Sequence, residues 1–481
     1  MTALIDLART GGRAYHGGWR HTAGGTSKVV EPATGAVLTE VGVGDATDVA
    51  AAVEAAGRAQ PDWWARPAPE RAAVLRRAAL VLTEHTAEVV EWLIREGGAV
   101  RAKAEYEVHS SLDELWAAAA LAVHPHGELL ADPAGRHSVG RRLPVGTVGV
   151  ISPWNVPLLL ALRAVAPALA LGNAVVLKPD PRTAVAGGHV VAAVFERAGL
   201  PEGVLQVLAG GPEAGRALVR HPGTDMVAFT GSSAVGRQIG AEAGGLLKRT
   251  SLELGGNNAL LVLEDADVRA AAAAGAWSSF FHQGQVCMSA GRHIVVASVA
   301  DEYLAELCRQ ADAATVGDPW TEQVTLGPLI DAGQRERVDR IVCQSVAAGA
   351  VLRTGGAGTG LMYHPTVLSA VTPEHAAFTE EIFGPVAPVV VVADADEAVQ
   401  LANRTEYGLV ASVFTGSVAR GAALADRLAT GIVHVNDPTI DDNAFVPFGG
   451  RGASGNGHRH GAGRNGEEFT QWQWLTTPAT S

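Results

Sequence analysis

The fold is decided by Val145-Gly146-Thr147-Val148-Gly149-Val150-Ile151-Ser152-Pro153-Trp154-Asn155, followed by a helix-length apolar run over 158–171 that ends near Gly172 and returns as Ala174-Val175-Val176-Leu177-Lys178. Small and β-branched residues at 145–151 and 174–178 predict buried strands, and the run between them predicts a helix. The pattern repeats, with apolar runs at 204–208, 226–229 and 251–254 and a second helix-length connection over 183–198 ending near Gly199. Such alternation predicts an α/β fold with a parallel, doubly wound sheet. Ligands of these sheets bind outside the carboxyl ends of the strands. Attention therefore falls on Trp154 and Asn155, on Lys178, on Thr230-Gly231-Ser232, and on Glu253 in Leu252-Glu253-Leu254-Gly255-Gly256.

Upstream, the first third reads mainly as surface helix, with Asp45 capping and Asp48 three residues on, a packed arm rather than a site. Segment 124–143 sets Pro, Gly, His and Arg around short apolar pairs, as in a hairpin or a long linker. After Asn258 a second α/β pattern begins, with a run at 259–263, a small-residue helix from Val268 and a strand at 388–392, which suggests a second domain. The 481 residues carry 37 Lys plus Arg against 50 Asp plus Glu, a formal charge of −13 that disfavours nucleic acid as a partner. At roughly 100–200 residues per domain this length predicts two to four domains, and 47% hydrophobic residues exclude disorder as the main state. Cys287, Cys308 and Cys343 are too few and too scattered for a disulfide framework, and no CxxC pair suggests zinc, so a reducing cytoplasm is expected and no metal site. Residues 1–18 have no continuous apolar core, so neither an export signal nor a membrane span is expected.

Single residues are ambiguous. Gly231 and Ser232, before a helix starting near Ala234, suit a diphosphate; they suit a plain turn and helix cap equally well. Lysine occurs only at 28, 103, 178 and 248, so Lys178 stands out, although a strand-end lysine is usually solvated. Cys287 in Gly284-Gln285-Val286-Cys287-Met288 is either an inert core thiol or a nucleophile, for which Glu253 supplies a base. A GxGxxG at Gly450, Gly452 and Gly455 lacks a preceding strand and reads as a flexible loop. His458, Arg459 and His460 read as part of that solvated stretch. No GxSxG, Walker A or HExxH appears.

Taken together, the chain resembles the aldehyde dehydrogenase superfamily over nearly its whole length. The matching stretches, in order, are Pro153-Trp154-Asn155, Leu177-Lys178-Pro179, Phe229-Thr230-Gly231-Ser232, Leu252-Glu253-Leu254-Gly255-Gly256, Gly284-Gln285-Val286-Cys287, Glu381-Ile382-Phe383-Gly384-Pro385 and Pro447-Phe448-Gly449-Gly450. The runs 178–183 and 282–288 are most similar to the benzaldehyde and vanillin dehydrogenase branch. The resemblance implies that Cys287 is the nucleophile, Glu253 the general base and Asn155 the oxyanion donor. It implies cofactor contacts from Ile151, Ser152, Pro153, Trp154, Lys178, Gly231, Ser232, Glu381 and Phe383, with NAD or NADP as the cofactor. A small-molecule aldehyde, an aromatic one, would be oxidised to its acid through a thiohemiacetal and a thioester.

The same resemblance implies a dinucleotide-binding domain of 1–123 and 144–255, a catalytic domain of 256–466, and an oligomerisation hairpin of 124–143 with 467–481 in a homodimer or homotetramer. The rivals are a CoA-acylating or a semialdehyde dehydrogenase, and a catalytically silent cofactor-binding protein on the same fold. Two departures stand out. Asn257 replaces a common lysine, and Pro181 stands where a carboxylate three residues after Lys178 is common, leaving Asp180 and Arg182 on either side. Arg163 is either a pocket cation for an acidic semialdehyde or a structurally paired arginine.

Overall fold

A computed structural model describes residues 3–124, 127–132, 134–461 and 463–478. The runs read as strands form one sheet, in which Thr147–Ile151, Ala174–Lys178, Leu205–Val207, Met226–Thr230 and Arg249–Glu253 are all parallel. Across the sheet the order is fifth, fourth, first, second, third. The direction of winding therefore reverses between Thr147–Ile151 and Met226–Thr230, which is where such sheets open a crevice at their carboxyl edge. Alternate residues feed two cores. Val148, Val150, Val175 and Leu177 enter one, and Ile151, Val176, Val227 and Phe229 enter the other. Burial on both faces is why these strands read as continuous apolar runs.

The second sheet runs Val351–Thr354, Thr366–Ser369, Val386–Val392, Ala290–Val296, Asn258–Val262, Val410–Phe414 and Ile432–Val435, parallel except for its first strand. The hairpin expected at 124–143 is formed by Gly127–Leu129 and His137–Pro144, and the C-terminal strand Thr470–Thr477 pairs along the latter. No helix among the described residues is long and apolar enough to cross a membrane.

Three expectations are corrected. The first third is helical over most of 46–121 as expected, but it also holds strands: Ala14–Tyr15 and Trp19–Arg20 extend the first sheet antiparallel and Thr26–Val30 pairs with Val37–Gly42. Its helices also bury charged residues, Glu96, Lys103 and Glu107 among them. The capping box on Ala46–Ala65, with Asp45 and Asp48, forms as read. The connection 183–198 is not one helix but a 3₁₀ turn, a π-helix over Val185–His189 and an α-helix over Val190–Arg197. There the buried Glu96 carboxylate accepts the Val185 and Ala186 N–H groups at 2.8 and 2.6 Å, a partner far off in sequence. Third, the GxGxxG stretch is neither a phosphate loop nor flexible. It straps the edge strand Arg249–Glu253, with Gly455 bridged to Glu253 and the Leu254 N–H donated to the Ser454 carbonyl at 3.0 Å.

Candidate active site

The carboxyl ends of the first sheet face the amino ends of the second. Ser152 to Asn155 follow Thr147–Ile151, Gly231 and Ser232 follow Met226–Thr230, and Glu253 ends the edge strand, while Cys287 precedes Ala290–Val296 and Glu381 and Phe383 precede Val386–Val392. Between them lies a cavity of about 430 Å³ whose wall includes Trp154, Asn155, Ser232, Cys287, Glu381 and Phe383. Pro153 and Gly231 also line it. Ile151, Ser152, Lys178 and Glu253 are buried and are not among the lining residues.

Cys287 is positioned by a loop that has little freedom. After the helix Val268–Phe280 the chain turns through three left-handed residues, His282 at φ 49°, Gln283 at 57° and Gly284 at 66°. Left-handed backbone costs roughly 1–2 kcal/mol for a non-glycine residue, so it persists only where neighbours over-determine it. Here the Gln283 amide donates to the Gly98 and Pro328 carbonyls at 3.0 and 2.7 Å, and a Cβ on Gly284 would lie 2.1 Å from the Gly384 oxygen. The Asn258 amide then donates to the Cys287 and Ser289 carbonyls, each at 2.8 Å.

Opposite, Asn155 Nδ2 donates to the Gln285 carbonyl at 2.8 Å, which fixes the amide plane and leaves its other N–H available. Its own carbonyl accepts from Lys103 Nζ at 2.8 Å. Lys103 is paired with Glu107 at 2.5 Å, and Glu107 accepts the Leu158 N–H at 2.8 Å at the start of the helix Pro157–Ala170. A fully buried ion pair thus anchors the turn that carries Asn155.

Glu381 accepts the Gly256 N–H at 2.8 Å, and a Cβ on Gly255 would stand 2.3 Å from its other oxygen, so glycine is needed at that approach. Arg337 donates to the Glu381 carbonyl at 2.5 Å and Gln334 to the Phe383 carbonyl at 2.7 Å, holding Phe383 at φ 57° with its ring edge-on to Trp154, 5.5 Å away. Ser232 caps the helix Ser233–Gly245 and also faces the cavity, so the cap and the candidate contact are one residue. Lys178 is not solvated; its ammonium donates to the Gly210 carbonyl at 2.7 Å, and burial lowers its pKa to about 8.

The donor set fits a dinucleotide. The start of a 13-residue helix, with Gly231 and Ser232 on the cavity wall, suits a diphosphate, and the Glu381 carboxylate suits ribose hydroxyls. Arg182, however, is no free phosphate partner. It donates to both Asp180 oxygens and to Asp331, each at 2.9 Å, and stacks over Trp154 with 4.9 Å to the ring centre.

Burial dominates the electrostatics. It pushes the Cys287 thiol up to about 12, with Glu381 adding to the shift, and carries Glu381 itself up to about 7. The Glu253 carboxyl is pushed well above its usual range by burial, against the pull of Arg163 and Arg459, and neither of its oxygens has a hydrogen-bond partner among the described residues. Arg163 is paired, with Glu114 at 3.1 Å and with Asp442. His460 is not solvated as expected; it is buried and meets the Ser251 hydroxyl at 3.2 Å, while His458 pairs with Glu468 at 2.6 Å. Asn257, in place of the common lysine, donates to the Phe378 carbonyl at 2.7 Å.

Reading single residues missed Asn258, Gln334, Arg337, Lys103 and Glu107. Only the last two left a signal, a scarce lysine four residues before a glutamate on one helix face.

A family model described as the aldehyde dehydrogenase family matches residues 19–475. The chain is 52% identical over 475 residues to a vanillin dehydrogenase of an Amycolatopsis species, covering 98% of each. It is 49% identical over 466 residues to a benzaldehyde dehydrogenase [NAD(+)] of Pseudomonas putida, covering 97% of this chain and 96% of that protein. A crystal structure of betaine aldehyde dehydrogenase from Staphylococcus aureus in complex with NAD+ superposes with a TM-score of 0.95 at 29% identity, over 99% of this chain and 96% of that one. The family model spans most of the chain and the relatives match it over nearly their whole length, and the chain belongs to the aldehyde dehydrogenase family.

Proposed function

We propose that this chain oxidises an aromatic aldehyde of the benzaldehyde or vanillin type to its carboxylic acid, with NAD or NADP as the oxidant. The observation that carries the chemistry is a thiol held on an over-determined loop at the cavity wall, with the Asn155 amide fixed on the same wall. The names of the two similar relatives support the substrate class. Residues 1–123 with 144–255 serve as the dinucleotide-binding unit, 256–466 as the catalytic unit, and 124–143 with 467–481 as the oligomerisation hairpin.

Cys287 gives up its thiol proton to solvent water and its Sγ attacks the aldehyde carbon, and the negative charge that develops on oxygen is met by the free Asn155 N–H and the Cys287 backbone N–H. An oxidised nicotinamide, when bound, would accept the hydride from that carbon; Glu381, Phe383 and the 151–154 turn would hold it, with Lys178, Gly231 and Ser232 on the rest of the dinucleotide. The thioester left on Cys287 is then hydrolysed, Glu253 taking the proton of the attacking water. Glu253 is buried and is not among the lining residues, so in this mechanism it turns towards Cys287 for this step.

Trp472 and Trp474 are exposed on one face of the C-terminal strand, which supports burial of that face in a homodimer or homotetramer. A cytoplasmic location fits the unpaired cysteines.

Incubation with benzaldehyde and NAD, with and without CoA, tests the proposal by absorbance of the reduced cofactor. Turnover without CoA, yielding benzoate, is expected. Turnover only with CoA overturns hydrolysis in favour of acylation, and no turnover with any aromatic aldehyde overturns the substrate class.

A further inference from the structure

Leu160 lines the cavity, and Arg163 sits one turn further along the same face of the helix Pro157–Ala170. Its guanidinium is buried and carries two carboxylates, Glu114 at 3.1 Å and Asp442 through Oδ2. Burial works against this charge, yet Asp442 and Glu114 hold the arginine's pKa above its ordinary value. Two carboxylates to one guanidinium leave no cationic capacity for an anionic substrate, whose own carboxylate they would repel. They leave a hydrogen-bond acceptor instead: Asp442 Oδ1 is buried and has no partner among the described residues.

The surroundings of that oxygen are aromatic. The Arg163 guanidinium lies 4.7 Å from the centre of the Phe448 ring. Phe448 packs with Val286 and Met288 in a cluster that Cys287, Phe281 and Ile440 join, so an apolar wall runs from the thiol towards the Arg163–Asp442 pair. Phe281 meets Tyr106 edge-on at 6.4 Å, and the Tyr106 hydroxyl donates to the Asp442 carbonyl at 3.0 Å, tying the pair to that wall. The Asp442 charge is felt at the reacting centre, being among the groups that raise the Cys287 thiol.

We infer that Asp442 Oδ1 is the polar end of the substrate site and accepts a hydrogen bond from a hydroxyl on the aromatic ring of the aldehyde. The inference rests on the aromatic aldehyde reading above and narrows it to phenolic aldehydes bound in their neutral form. A ring hydroxyl satisfies a buried acceptor that a bare ring leaves unpaired and that a methyl ether, having no donor, cannot serve.

The test is kcat/KM with NAD for benzaldehyde, for para- and meta-hydroxybenzaldehyde and for the methyl ether of each, on the wild type and on Asp442→Asn. For at least one position the phenol is expected to exceed its ether by about tenfold or more, the discrimination of one hydrogen bond to a charged acceptor. That advantage should shrink as pH rises through the ionisation of the phenol. In Asp442→Asn, with the amide oxygen kept on Arg163, an N–H group stands where Oδ1 was, and the phenol-to-ether ratio should fall to about one or invert. Each ratio is taken within one preparation, so partial misfolding of the variant does not move it. Turnover of benzaldehyde with phenol and ether indistinguishable at both positions, or a ratio unchanged by Asp442→Asn, overturns this inference and leaves the proposed function standing. Failure to oxidise any of the five aldehydes overturns both.

Discussion

Replacing Glu253 by Gln isolates the second half of the proposed reaction. The residue is 4% exposed and, among the described residues, neither carboxyl oxygen has a hydrogen-bond partner, so an isosteric amide forfeits no hydrogen bond there. What it forfeits is the base, and general base catalysis contributes about 10²–10⁴-fold, or roughly 3–5 kcal/mol of barrier. Hydride transfer precedes hydrolysis, so stopped-flow absorbance should record an undiminished burst of about one reduced cofactor per active site, then steady turnover slowed by about that factor. The pH dependence carries the same signature. Burial raises the Glu253 pKa well above 4.5, and only the ionised form accepts a proton, so wild-type steady turnover should rise with pH through a value well above the usual carboxylate range. That limb should vanish in the variant. For stability the sign reverses: the native state holds this proton where the unfolded chain has lost it, so Glu253 destabilises progressively as pH rises above 4.5. Glu253→Gln should therefore be at least as stable as wild type at alkaline pH. Loss of the burst with normal later turnover, or steady turnover close to wild type, would falsify the division of roles between Cys287 and Glu253.

Cys287→Ala should abolish turnover while a fluorescence titration still shows cofactor binding, and Cys308→Ala and Cys343→Ala should stay active; a Cys287→Ala enzyme at the wild-type rate removes the nucleophile. Wild type should use NAD and accept NADP appreciably, because Pro181 offers no carboxylate against a 2′-phosphate and Asp180 is neutralised by Arg182. Pro181→Glu should lower kcat/KM with NADP more than with NAD, by about 1–3 kcal/mol, and outright rejection of NADP by the wild type contradicts this. Glu107→Gln leaves the Lys103 ammonium buried without its counter-ion, which should cost about 3–5 kcal/mol and shorten the half-life at elevated temperature; an unchanged half-life refutes the anchoring role of the pair.

Legibility in the sequence followed distance along the chain. The strand Ala174–Lys178 was readable to its ends because both faces are buried and the strand is one apolar run between Gly172-Asn173 and Pro179. The strands Ala14–Tyr15 and Trp19–Arg20 were not, since two residues show no period; Ala14–Tyr15 forms against Leu205–Val207, and Trp19–Arg20 against Ala14–Tyr15. The motifs of the site were visible as short strings, but what holds each in place was not. Asn155 depends on Lys103, Phe383 on Gln334 and the π-helix on Glu96, all brought in by tertiary packing. Arg163 shows the limit of choosing between alternatives by residue type. It is paired with Glu114 and Asp442 and its charge still acts on Cys287, so the two alternatives were not exclusive.

The glycine-rich string at 450–455 carries the same lesson into mechanism. A generic pattern assigns such glycines to phosphate, but here the requirement is packing: a Cβ on Gly455 would come within 2.9 Å of the Leu252 oxygen, and one on Gly450 within 2.5 Å of the Ser454 side chain. The close approach lets the strap bond the backbone on one side of Glu253, while Gly231 N–H donates to the Glu253 carbonyl at 3.0 Å on the other. The main chain at Glu253 is thereby fixed from both sides and its carboxyl has no hydrogen-bond partner among the described residues. A rigid pivot with an unbonded acid is what a base needs if it is to wait buried, protonated by that burial, and turn to the thioester without breaking a hydrogen bond first. Adding a partner there should be harmful for the same reason. Any substitution that gives the resting carboxyl a buried donor stabilises the waiting state and slows hydrolysis while leaving the burst untouched.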